Sequence, residues 1–193
     1  MKKIIFTLGL SAGIALFMSL TNPVKTETFT VDAKRSSIDW IGRKVTGQHT
    51  GKLNITSGEL VFSGKAVKGG AFVIDMTSLT SDNEKLTGHL KTDDFFSVEK
   101  NPVSKFEITK VTAAGSDRVN ITGNLVIKGI SESVSFPATV KKQGNSVVAA
   151  AKGVKINRTK YNIRYGSKSF FNDIGDKAID DEFELAINLV ATK

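Results

Sequence analysis

Cysteine is absent from all 193 residues. Disulfide staples and thiolate metal sites are therefore excluded, and so is lipid attachment through an N-terminal cysteine. An exported domain made from this chain has to be stable on its packing alone. Histidine is nearly as scarce, with only His49 and His89, far apart in sequence. A structural hydrogen-bonding role is the expected one for each, and a metal or haem ligand is the outside alternative. No nucleophile elbow, phosphate loop, dinucleotide fingerprint or paired-histidine motif occurs. Asp93 and Asp94 read as helix caps, because adjacent carboxylates on one chain rarely converge on one substrate atom. The residues point away from an enzyme, and they call for no cofactor and no metal.

Only one long run lacks charge. Met1-Lys2-Lys3 is a basic start, and Ile4 to Leu20 is the uncharged, mostly apolar stretch behind it. That is the shape of a secretory signal peptide over residues 1–21, with Ser19 and Thr21 marking cleavage before Asn22. The remaining residues, 22–193, suit one β domain, expected in the periplasm or secreted. An uncleaved anchor stays open, since about 17 apolar residues is the lower limit for spanning a bilayer. The formal net charge is +8; without the leader's two lysines, 25 bases face 19 acids and leave +6. Bases are scattered among acids, so a soluble basic surface is the plain reading and nucleic acid is not an expected partner. Transient contact with membrane lipid and a homodimer both stay open.

What the chain does have is alternation. Ile38 and Trp40, Leu53 and Ile55, Phe106 and Ile108 each alternate with polar neighbours. Val119, Ile121, Leu125 and Ile127 form one apolar face; Val134, Phe136, Ala138 and Val140 form another. Phe183, Leu185, Ile187 and Leu189 repeat the pattern near the end. Turn signals stand at Ser57-Gly58, Ser63-Gly64, Lys68-Gly69-Gly70, Lys128-Gly129 and Gly144-Asn145. Ala71 to Met76 is apolar on both faces, which predicts a strand covered on both sides. Eight or nine short strands result, the signature of an antiparallel sandwich or barrel. Periodicity alone does not choose between them.

Two segments break the alternation. Residues 81–96 predict a short helix, with Ser81 and Glu84 as a capping box and Thr92-Asp93-Asp94 as fresh caps before Phe95-Phe96. Asn157 to Asp181 is irregular and carries Tyr161, Tyr165, Phe170 and Phe171. A long aromatic-bearing loop is usually functional or folded over the core. Core packing is the plain reading of these aromatics. The functional reading is the wall or lid of an apolar cavity.

Several motifs then resemble the YceI-like family. They are His49-Thr50-Gly51, Val73-Ile74-Asp75-Met76, Gly88-His89-Leu90, Asp93-Asp94-Phe95-Phe96 and Asn101-Pro102. Gly123 to Ile130, Arg158-Thr159-Lys160-Tyr161, Ile174-Gly175-Asp176 and Ile179 to Phe183 add to them, over almost all of residues 22–193. The resemblance implies an all-β protein: an extended, lipocalin-like antiparallel β-barrel of about eight strands with the short helix inserted. It also implies an exported, non-enzymatic lipid-binding protein that sequesters or transports a polyisoprenoid, an isoprenoid quinone or another long-chain amphiphile. The family has no catalytic motif to transfer. Trp40, Phe72, Ile74, Leu90, Phe95, Phe96, Phe106, Tyr161, Phe170 and Phe171 are the residues expected to line its apolar cavity. The alternative is a cell-envelope stress or interaction protein with a packed barrel that binds a protein partner. Which lipid is bound, and in what process, is not written in the sequence.

Overall fold

A computed structural model describes residues 25–193. The signal peptide read over residues 1–21, and its cleavage before Asn22, lie outside the described residues. Nine strands and one α-helix follow: β1 (Thr26–Val31), β2 (Ser37–Lys44), β3 (Gly47–Ser63), β4 (Ala66–Ser81), α1 (Glu84–Lys91), β5 (Val103–Ala113), β6 (Arg118–Ile127), β7 (Ile130–Gln143), β8 (Ser146–Asn157) and β9 (Ile179–Thr192). Every pairing is antiparallel. The order β3-β2-β9-β8-β7-β6-β5-β4 returns to β3, so β2 to β9 close a ring of eight. Closure leaves these strands no open edge, which decides barrel over sandwich.

β1 is the ninth strand, and it lies in line with β2. It pairs with the far part of β3, Phe29 opposite Leu60, and with the end of β9, Val31 opposite Ala191. One stave of the barrel is thus broken at residues 32–36. Ser36 fills the break: its hydroxyl donates to the Asp32 carbonyl at 2.7 Å and accepts from the Val190 amide at 3.1 Å. The two ends of the barrel differ. Phe29 and Phe62 meet edge-to-face at 5.3 Å near one end. Both are fully buried, as are Val147 and Ala191 beside them in the sheet. This end is the floor. The helix and the late loop lie at the other end, the mouth.

Two turn assignments are overturned. Ser57-Gly58 and Lys68-Gly69-Gly70 do not turn the chain; they sit inside the long strands β3 and β4, where register shifts absorb extra residues. Gly58 is there because a Cβ would meet the Phe72 ring at 2.7 Å. Lys128-Gly129 does turn, with both φ positive at 52° and 74° and Ile127 opposite Ile130. That is the two-residue hairpin whose twist matches the flanking strands. Ala71 to Met76 is buried on one face only. Phe72, Ile74 and Met76 point inward, Ala71 is exposed and Val73 half-buried. The barrel interior covers one side, and solvent meets the other.

The helix is also shorter than its expected span. Sheet pairing holds Ser81 opposite Gly51, so the cap passes to Asn83, whose Oδ1 accepts from the Leu86 amide at 3.0 Å. Thr92 closes the C-terminus rather than opening a new helix: its amide and hydroxyl donate to the His89 carbonyl at 3.1 and 2.8 Å.

Candidate functional site

The barrel interior holds two apolar cavities. The outer one, about 110 Å³, lies under the mouth and is lined by Trp40, Met76, Leu79, Leu90, Phe95 and Phe96 among others. The inner one, about 70 Å³, lies toward the floor. Ile38 and Ile74 line both, so their side chains form the partition. The inner cavity follows from side-chain size. Phe72, Phe106 and Phe136 line one part of it, with centroid spacings of 6.4 and 5.7 Å, while Ala138, Ala149 and Ala151 line another. Three rings on one arc and three methyls on another leave space between them.

The lid is built from two segments. α1 directs Leu90 inward, and the turn after it directs Phe95 and Phe96. That turn is held by Phe96 N–H to the Leu90 carbonyl at 3.1 Å and by Ser97 at φ 50°. Asp93 braces it. Hydrogen bonds from Lys100 at 2.6 Å and from the Ser97 hydroxyl keep the Asp93 carboxyl below its ordinary pKa.

The late loop hangs on one buried cation. Arg158 donates to the carbonyls of Asp180, Ile163, Tyr165 and Ile179 at 2.8 to 3.0 Å, and Asp181 lies 3.6 Å away. All five guanidinium donors are thereby used or faced. Burial lowers the Arg158 pKa, against the nearby charges of Asp181 and Asp180. Burial likewise raises Asp181, but the Ser167 and Ser169 hydroxyls and Arg158 outweigh it and the net shift is downward.

Each histidine bonds one aspartate. His49 Nδ1 lies 2.8 Å from Asp82 and ties β3 to the approach of the helix. His89 Nε2 lies 2.9 Å from Asp94, and its ring meets Phe95 and Tyr165 edge-on at 5.0 and 4.8 Å. His89 thus joins helix to late loop. No three His, Asp or Glu side chains among the described residues are grouped to hold a metal ion.

Of the ten expected lining residues, Trp40, Ile74, Leu90, Phe95 and Phe96 border the outer cavity, and Phe72, Ile74 and Phe106 the inner. Tyr161, Phe170 and Phe171 border neither. Tyr161 is fully buried under the late loop; Phe170 and Phe171 are about half exposed at its tip. A loop has no strand parity from which inward and outward can be read. Sequence reasoning also passed over Ile38 and the polar residues that border the outer cavity, Ser104, Asp180 and Glu182. Ile38 could have been found: it shares a face with Trp40.

A closed eight-strand antiparallel barrel with an apolar interior and a lidded mouth is a binding-protein fold. The YceI-like domain family matches residues 29–191, and the chain belongs to it. A UPF0312 protein of Vibrio parahaemolyticus is 27% identical over 150 residues, 75% of this chain and 77% of that protein. One from Pseudomonas paraeruginosa is 34% identical over 97 residues, about half of each chain. Among solved structures, BcnA of Burkholderia cenocepacia has a TM-score of 0.70 at 23% identity, covering 84% of this chain and 99% of its own. A polyisoprenoid binding domain from Saccharophagus degradans, implicated in plant cell wall breakdown, has a TM-score of 0.65 at 14% identity, covering 85% and 97%. At these identities the two structures establish a shared fold.

Proposed function

We propose that the protein is a non-enzymatic carrier of a long-chain isoprenoid amphiphile, working outside the cytoplasm after export by residues 1–21. The observation that carries this reading is the pair of apolar cavities in line behind an aromatic lid. The polyisoprenoid binding domain with the same fold supports the cargo class. Each methylene taken from water into such a space contributes about 0.8 kcal/mol, so a long chain is held without any catalytic group. Both cavities are below the roughly 300 Å³ lower end for ligand pockets, so a long chain needs them joined and widened. Loading then requires Ile38 and Ile74 to swing aside and the lid to lift.

The test is solvent extraction and mass spectrometry of protein purified from its host without detergent. A stoichiometric isoprenoid is expected, and Phe95→Asp or Phe96→Asp in a folded variant should abolish it. A protein that arrives empty and takes up no added isoprenoid would overturn the reading, leaving a packed barrel that binds a partner through its surface. N-terminal sequencing of exported protein tests the address, with Asn22 expected first.

A further inference from the structure

Among the described residues, six large apolar or aromatic side chains are exposed: Val45, Val103, Val148, Tyr165, Phe170 and Phe171. All but Val148 lie at the mouth. Four of them belong to one connected patch. The β2–β3 turn carrying Val45 bonds the late loop through Val45 N–H to the Ala178 carbonyl at 3.3 Å. Ile179 N–H donates to the Gly166 carbonyl at 2.8 Å, and the Phe170 and Phe171 amides fold back onto the Ser167 carbonyl. Tyr165 reaches the lid itself, its ring 5.2 Å from that of Phe95. Single exposed hydrophobics need no explanation, but a cluster around an opening does.

The charge around the patch selects its occupant. Between Asn157 and Asn172 the chain has four cations and no acid. Arg158 is buried, whereas Lys160, Arg164 and Lys168 are exposed. The Arg164 guanidinium lies 4.5 Å over the Phe170 ring, so cation and aromatic are presented together. Asp173 and Asp176 follow only beyond the aromatic pair. Aromatic rings flanked by long cationic side chains suit the head-group layer of an anionic bilayer, where rings enter the acyl boundary and cations reach phosphates.

We infer that the mouth docks on an anionic membrane through Val45, Tyr165, Phe170 and Phe171, with Arg164 and Lys168 on the lipid phosphates. Its purpose rests on the carrier reading: cargo passes between bilayer and cavity without crossing water. The docking itself is independent of cargo.

The cysteine-free chain makes the test direct. Asn172→Cys at the patch and Asn145→Cys at the floor hairpin each give one thiol for an environment-sensitive dye. Vesicles of equal parts phosphatidylcholine and phosphatidylglycerol should shift the dye to the blue at position 172 and leave it unchanged at 145. Phe170→Ser with Phe171→Ser should remove the shift. Arg164→Gln with Lys168→Gln should weaken partitioning by roughly thirtyfold, since each of the two cations near an anionic surface contributes about 1 kcal/mol. No shift at 172, or equal shifts at both positions, overturns the proposal and turns the patch over to a protein partner. Binding of dispersed geranylgeraniol should survive in all these variants. Its loss in the parent protein would instead defeat the carrier reading.

Discussion

Tyr161 carries its hydroxyl into the interior, where it has no hydrogen-bond partner among the described residues. An unpaired buried hydroxyl is a cost, so Tyr161→Phe should leave stability unchanged or raise it by about 1 kcal/mol in urea unfolding. Burial, with the charge of Glu132 adding to it, pushes the Tyr161 pKa from 10.0 up to about 12. A group whose folded pKa is raised contributes stability below its unfolded pKa and loses it as pH climbs through the folded one. Stability should therefore decline between pH 10 and about 12, and Tyr161→Phe should flatten that decline. At this scale the sequence was readable wherever a residue sat on a strand. Trp40, Phe72, Ile74 and Phe106 face inward because alternation leaves each only two choices, one of them wet. Tyr161, Phe170 and Phe171 had no such constraint. Their orientation is set by Arg158 and the carbonyls it gathers, which are distant contacts with no local signature.

Among the elements, the Lys128-Gly129 hairpin has the geometry that favours Asn at its first position. Lys128→Asn should stabilise the protein by about half a kcal/mol through the same argument on left-handed backbone, read as a rise in melting temperature. The late loop makes the opposite point. Lysine has three donors on one nitrogen and cannot reach the four carbonyls that Arg158 holds. Arg158→Lys should detach the loop before the barrel melts, and limited trypsin digestion should cut at Lys168 while β1 to β9 stay folded. Uncut loop at native-like digestion rates would show that Arg158 does not organise it. The helix illustrates why element boundaries were less legible than elements. Its existence followed from residues 81–96 breaking the alternation, but its start moved because Ser81 was already committed to Gly51 across the sheet.

For the whole molecule, closure explains both what could be foreseen and what could not. Strand number and antiparallel order were evident from alternation and turns. The choice of barrel over sandwich rests on β3 meeting β4 as well as β2, pairings that no single strand announces. The inner cavity is a property of the assembled ring too, since Ala149 is unremarkable until Phe72 and Phe106 line the same space. Ala149→Leu should fill that space. The empty protein should be no less stable, and the longest isoprenoid it retains should shorten in extracts analysed by mass spectrometry. An unchanged cargo length would place the chain elsewhere. Filling a void recovers contacts that its lining otherwise lacks, as long as no rotamer is strained.

The floor has a further consequence. Phe29 and Phe62 seal the end of the barrel beneath the inner cavity, so the interior is a dead end rather than a conduit. On the carrier reading, cargo leaves by the opening it used to load, and one molecule cannot pass lipid through itself from a donor surface to an acceptor. It has to release the first before it addresses the second. Transfer between two vesicle populations should accordingly follow ping-pong kinetics, with rates that scale with protein concentration and gain nothing from holding the two membranes close together.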